Sequence, residues 1–142
     1  MTTKYKYQPQ TPCGLHDMTV DKIELREKAI CFHFKDEWSR EPHPQEGNIT
    51  IEGVDFDAVS VLLLSQNGEY GAFEGHKLSL QDFLKNYTNF SFEIIEDKYG
   101  YNSVEYCGYL YLELPNDNRV TIEMIISIYH FGDIVYDIKV KE

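Results

Sequence analysis

Apolar and polar residues alternate with a period of two over most of the chain, the spacing that turns one side of a β-strand toward a core and the other toward water. Met18 to Leu25 reads as an extended segment, Arg26-Glu-Lys28 as a turn, and Ala29 to Phe34 as the return strand of a hairpin. In that return strand Ile30, Phe32 and Phe34 share one face, with Cys31 and His33 opposite. Residues 35–47 are charged and broken by Pro42 and Pro44, which predicts an exposed loop. Asn48 to Gly53 alternates again, Asp55-Phe-Asp57 predicts a turn, and the apolar run Val59 to Leu64 suits a strand covered on both faces. Ser65-Gln-Asn-Gly68 is a further turn signal, and Gly71 to Glu74 reads as a short edge piece.

Only one stretch changes period. Ser79 is placed to cap a helix whose Asp82 lies three residues on, with Leu80, Phe83 and Leu84 as its apolar stripe. Beyond Asn86 the chain returns to alternation. Phe90, Phe92 and Ile94 share a face, as do Val104, Tyr106, Leu110, Leu112 and Leu114, with Glu105, Tyr109, Tyr111 and Glu113 opposite. Pro115-Asn-Asp-Asn118 leads into Val120 to Tyr129, and His130-Phe-Gly-Asp133 into Ile134 to Val140. Long strands in succession are most simply an antiparallel meander. The expected fold is therefore mainly β, with about eight largely antiparallel strands forming a sandwich or a small barrel and one short helix near residues 79–86. Residues 1–142 read as a single β-rich domain with a polar N-terminal arm at 1–12. The break near residues 79–89 is expected to separate an N-terminal four-strand half from a C-terminal one.

Composition supports a packed core. The 142 residues are 42% hydrophobic and 14% aromatic, which argues against disorder. Charge narrows the partners. A net charge of −11 excludes the counterion-displacing contacts by which proteins hold nucleic acid, and it disfavours an anionic membrane surface. A basic protein is the natural partner, and an uncovered strand edge adds a homodimer as a second expectation. The N-terminal residues lack the apolar run of a secretory signal, and no stretch approaches a membrane span. Cys13, Cys31 and Cys107 are odd in number and widely spaced, which fits free thiols in the cytoplasm, so the glycosylation-like triplets at Asn48, Asn86 and Asn89 read as chance matches.

Reactive residue types are densest at Cys13, His16 and Asp17, a set able in principle to support nucleophilic or proton-transfer chemistry. Adjacency in sequence carries little weight for such chemistry, and Asp17 also suits a turn that bonds its own amides. His33, His43, His76 and His130 lack the spacings that place two ligands on one metal, so neither metal nor cofactor is expected. The glycines at 68, 71 and 75 sit beside Glu69 and Glu74, which would repel a phosphate. Carboxylates and tyrosines on the outward faces of the C-terminal strands form the second candidate, with Tyr109, Tyr111, Glu113 and Glu123 at its centre.

Leu15-His-Asp-Met-Thr-Val-Asp-Lys-Ile23 followed by Ala29-Ile-Cys-Phe-His-Phe34 resembles the opening of small uncharacterised bacterial β-rich domain proteins. That resemblance implies a bacterial cytosolic β-domain and transfers no catalytic residues. In size, acidity and location the chain is also similar to immunity proteins of bacterial toxin systems. Two functions follow as expectations. The first is a non-enzymatic acidic protein-interaction domain, immunity-like, binding through His16, Asp17, Tyr109, Tyr111, Glu113 and Glu123. The alternative is a small-ligand-binding protein or small hydrolase with its site near Cys13, His16 and Asp17.

Overall fold

The computed structural model describes residues 14–35, 44–66, 72–113 and 119–140. Cys13, the arm expected at 1–12, residues 36–43 of the expected loop, and residues 67–71 and 114–118, on which parts of the turn signals at 65–68 and 115–118 fall, lie outside them. Among the described residues nine strands and one α-helix follow in chain order, with a single 3-10 turn at Phe56–Ala58. They are β1 (Thr19–Arg26), β2 (Ala29–Lys35), β3 (Pro44–Glu52), β4 (Ser60–Gln66), β5 (Phe73–Leu78), α1 (Leu80–Asn86), β6 (Phe90–Tyr99), β7 (Ser103–Glu113), β8 (Arg119–Tyr129) and β9 (Ile134–Val140). The fold is mainly β with one short helix, as the alternation predicts. The ninth strand is β5, longer than the edge piece expected there, and β3 begins at Pro44, within the segment expected to be loop.

All strands join one open sheet in the order β5-β4-β8-β7-β6-β1-β2-β3-β9, and every described pairing is antiparallel. The meander holds for β6, β7 and β8 but not beyond them, because β9 pairs with β3. Nor do the two halves stay separate, since the β4–β5 hairpin joins the ladder beside β8. Local alternation assigns a residue to a face but carries no information about such distant partners.

Chain connectivity then forces the sheet to curl. Tyr129 and Ile134 are five Cα steps apart, so the link from β8 to β9 reaches at most about 18 Å. Those strands stand six places apart in the ladder, which in a flat sheet would separate them by about 29 Å. Curling brings opposite ends of one apolar face together, so the expected sandwich or small barrel takes the form of a single sheet folded over its own core. Phe32 on β2 meets Tyr106 on β7 edge to face, with ring centroids 5.2 Å apart. The Tyr99 and Tyr136 hydroxyls, on β6 and β9, lie 3.1 Å apart. Ile30, Ile51, Val61, Phe92, Val104, Leu110 and Ile126 complete the interior, each at 0% exposure.

α1 closes over this core. The Ser79 hydroxyl accepts from the Asp82 amide at 3.1 Å, as the cap pattern predicts, and Leu80 and Phe83 are fully buried. The curl is fastened where β3 ends against the β8–β9 link. Glu52 N–H donates to the Asp133 carbonyl, Phe131 N–H to Gly53 and Gly132 N–H to Glu52. Asp55 N–H donates to Tyr129 at 3.0 Å, and the His130 ring Nδ1–H donates to the Gly132 carbonyl at 2.9 Å. Gly53 has φ +65° and faces Gly132 so closely that a Cβ on Gly132 would lie 2.6 Å from the Glu52 carbonyl oxygen.

Gly132→Ala should therefore destabilise the fold by about 1–3 kcal/mol, the range for forcing an extra carbon into a packed site. Gly14→Ala, where an added Cβ meets nothing within 4 Å, serves as the neutral control. Denaturant titration of both variants checks this, and equal midpoints would show that the backbone contact at Gly132 is not tight.

Candidate functional site

The outer face of the central strands is built by register. β6, β7 and β8 pair so that Glu93, Tyr109 and Glu123 stand in one row across three strands, and Ser91, Tyr111 and Thr121 in the next row on that face. The Tyr111 hydroxyl donates to Glu93 Oε2 at 3.5 Å, and burial, followed by the Glu93 charge, pushes its phenol pKa up, so it remains a donor. Tyr109 is 42% exposed. Glu113 is exposed two positions beyond Tyr111, and Glu105 accepts from the Ser127 hydroxyl at 3.0 Å. At the other end of β8, Tyr129 and Phe131 are exposed and pack edge to face at 5.1 Å. On this outer face Lys22, Arg26 and Lys35 of β1 and β2 pair with Glu24 and Asp21, β6 carries Lys98 beside Glu96, and the register sets Arg119 of β8 opposite Glu113.

The structure thus brings together Tyr109, Tyr111 and Glu123, with Glu113 at the margin. Glu93 was not among the candidates, yet its position between Phe92 and Ile94 in an alternating strand already places it outward. His16 and Asp17 lie elsewhere, on the side of β6 away from β7. Asp17 adopts φ 67° and its N–H donates to the Ile94 carbonyl at 2.8 Å. The His16 Nδ1–H donates to the Ile95 carbonyl, and Nε2 faces Asp17 Oδ2 at 3.4 Å. This turn docks the chain onto β6 beside the bulge between Ile94 and Glu96. Gly108 is required opposite that bulge, because a Cβ there would collide with the Glu93 carbonyl oxygen.

Sequence spacing missed a third group. A two-residue turn at Glu27-Lys28, with Lys28 at φ 57°, pairs Arg26 with Ala29 and consequently Glu24 with Cys31. His33, two residues beyond Cys31, falls on the same outer face. Cys31 Sγ lies 3.7 Å from His33 Nε2, and His33 Nε2 lies 3.5 Å from Glu24 Oε2. Cys31 is buried although it points away from the core, while Glu24 and His33 are half-exposed. A hydrogen bond from Lys22, then one from His33, holds the Glu24 carboxyl below its usual range. Among the described residues this is the group whose donor types fit a metal.

Compared with family models, curated proteins and solved structures, the chain matches none.

The remaining described cysteine, Cys107, lies between Glu96 and Ile125 by register. Burial pushes its thiol pKa up; Lys98 pulls it down, and Glu105, Glu96 and Glu123 push it further up. Since the thiolate is the reactive form, Cys107 should alkylate slowly at neutral pH and accelerate only above the ordinary thiol range. Mass-spectrometric alkylation rates across pH test this, and a midpoint at or below that of free cysteine would contradict the environment described.

Proposed function

We propose that the protein is a non-enzymatic, acidic protein-interaction domain that captures a basic protein partner on the outer face of β6, β7 and β8, as an immunity protein captures a cationic toxin. The observation that carries this reading is the row Glu93–Tyr109–Glu123, an exposed phenol set between two carboxylates on a rigid sheet. Carboxylates raise the encounter rate with a cationic surface, and tyrosine supplies contact area with a polar tip at little entropic cost. The face is the convex side of a curled sheet, a shape that suits another protein better than a small molecule, which binds in concavities. Edge pairing into a homodimer would use β5 or β9, so self-association and partner capture occupy different parts of the molecule.

Wild-type protein and the Glu93→Lys/Glu123→Lys double variant, immobilised in parallel, provide the test. Basic proteins retained by the wild type should be lost from the variant, and the association rate of a retained partner should fall about tenfold or more at low ionic strength, with a flatter salt dependence. Tyr109→Ala should chiefly speed dissociation. The Glu27→Lys/Glu74→Lys double variant, changed at two exposed positions away from that face, is the charge-matched control. Equal retention by the double variant and the wild type would defeat the proposal.

A further inference from the structure

The trio on the β1–β2 hairpin is independent of the tyrosine face. We infer that Glu24, Cys31 and His33 form a binding site for one divalent transition-metal ion of zinc type, with three protein ligands and a fourth position open to solvent or to an added ligand.

Two observations carry this. The first is which atom faces which. In a nucleophilic triad, histidine turns one ring nitrogen to the nucleophile and the other to the carboxylate. Here both distances run to the same nitrogen, Nε2, with sulfur at 3.7 Å and Glu24 Oε2 at 3.5 Å. A single imidazole nitrogen cannot relay a proton between two partners that it faces with one atom. Three donors gathered around one point are what a metal ion requires. The second observation is scale. With zinc bond lengths of about 2.3 Å to sulfur and about 2.0–2.1 Å to nitrogen and oxygen, tetrahedral geometry sets the sulfur–nitrogen edge at about 3.6 Å and the nitrogen–oxygen edge at about 3.3 Å. The observed edges are within a few tenths of an ångström of those values, and all three ligand atoms lie within 4.8 Å of one another.

The neighbours are arranged compatibly. Lys22 Nζ binds Glu24 Oε1 at 2.7 Å, which fixes the carboxylate and leaves Oε2 turned toward His33. Arg26, 3.7 Å from Oε2, is itself more than half exposed and free to swing toward solvent when an ion enters. Thiolate, imidazole and carboxylate together select a borderline-soft cation over calcium or magnesium, which prefer all-oxygen shells. Binding would release the Cys31 thiol proton to solvent, leaving the thiolate as ligand. A hairpin holds two of the donors as direct cross-strand neighbours and the third two residues along, so little ordering remains to oppose binding.

Titration of the reduced, metal-free protein with Co²⁺ tests the inference. One equivalent should produce a thiolate-to-cobalt charge-transfer band with the intense visible bands of four-coordinate cobalt, and Zn²⁺ should bleach both. Cys31→Ser should abolish the charge-transfer band, whereas the Cys13→Ser/Cys107→Ser double variant should keep it. Glu24→Gln and His33→Gln alter half-exposed side chains and keep the test decisive should the Cys31 variant fail to fold. Each should weaken Co²⁺ affinity about 100-fold or more, beyond the loss expected for an outer-shell partner. No band at saturating Co²⁺, a band that survives in folded Cys31→Ser, or unchanged affinity in both Glu24→Gln and His33→Gln would overturn the assignment.

Discussion

A sheet with one apolar face must bury that face against something, and here the only α-helix among the described residues is seven residues long. The sheet therefore covers itself. Everything else rests on the backbone contact between the end of β3 and the β8–β9 link, where two glycines let main chains meet without intervening side chains. That contact fastens the curl that the short β8–β9 link imposes, and the curl brings Phe32 to Tyr106 and Tyr99 to Tyr136 across the interior. Inside, Tyr99 donates to Asp97 at 2.6 Å, and burial raises its phenol pKa far above the usual range, so the hydroxyl stays protonated.

Faces were legible in the sequence, whereas partners were not. Alternation assigned Val104, Tyr106 and Leu110 to the core and Tyr109 and Glu113 to the surface, because a period of two reports burial directly. The Ser79 cap was readable because its signal spans only four residues. The β3–β9 and β4–β8 pairings were not, since nothing local in Ile134 to Val140 points to Ile51. Of the candidate site, Tyr109, Tyr111 and Glu123 were found from alternation alone, and Glu93 obeys the same rule. Cys31 and His33 carry neither a helical nor a zinc-finger spacing, whereas a strand sets residues two apart on one face.

The outer face divides into two regions of distinct character. β6 to β8 carry more carboxylates than bases, with phenols among them and Arg119 at the margin opposite Glu113, an arrangement that invites an external cation. β1 and β2 carry lysine and arginine already satisfied by their neighbours, around a buried thiol. The first region has the chemistry of a surface that meets another macromolecule; the second has the donor set of a site that holds an ion. β1 pairs with β6 only through Thr19 and Val20, so the hairpin and the tyrosine face share a short seam, at which Thr19 stands opposite Glu93.

Pairing of β3 with β9 also has a consequence in time. Ile51 finds Ile134 only after the intervening strands and α1 have been synthesised, which makes this the most nonlocal ladder in the sheet. Until then β3 is an edge with unpaired amides and carbonyls. Nonlocal strand pairing of this kind slows folding and exposes nascent chains to aggregation. Any pairing of β1, β2 and β3 ahead of β9 leaves an incomplete sheet, open to chaperones or to β9 of another copy. Domain exchange through that last strand is the misfolding route that this topology builds in.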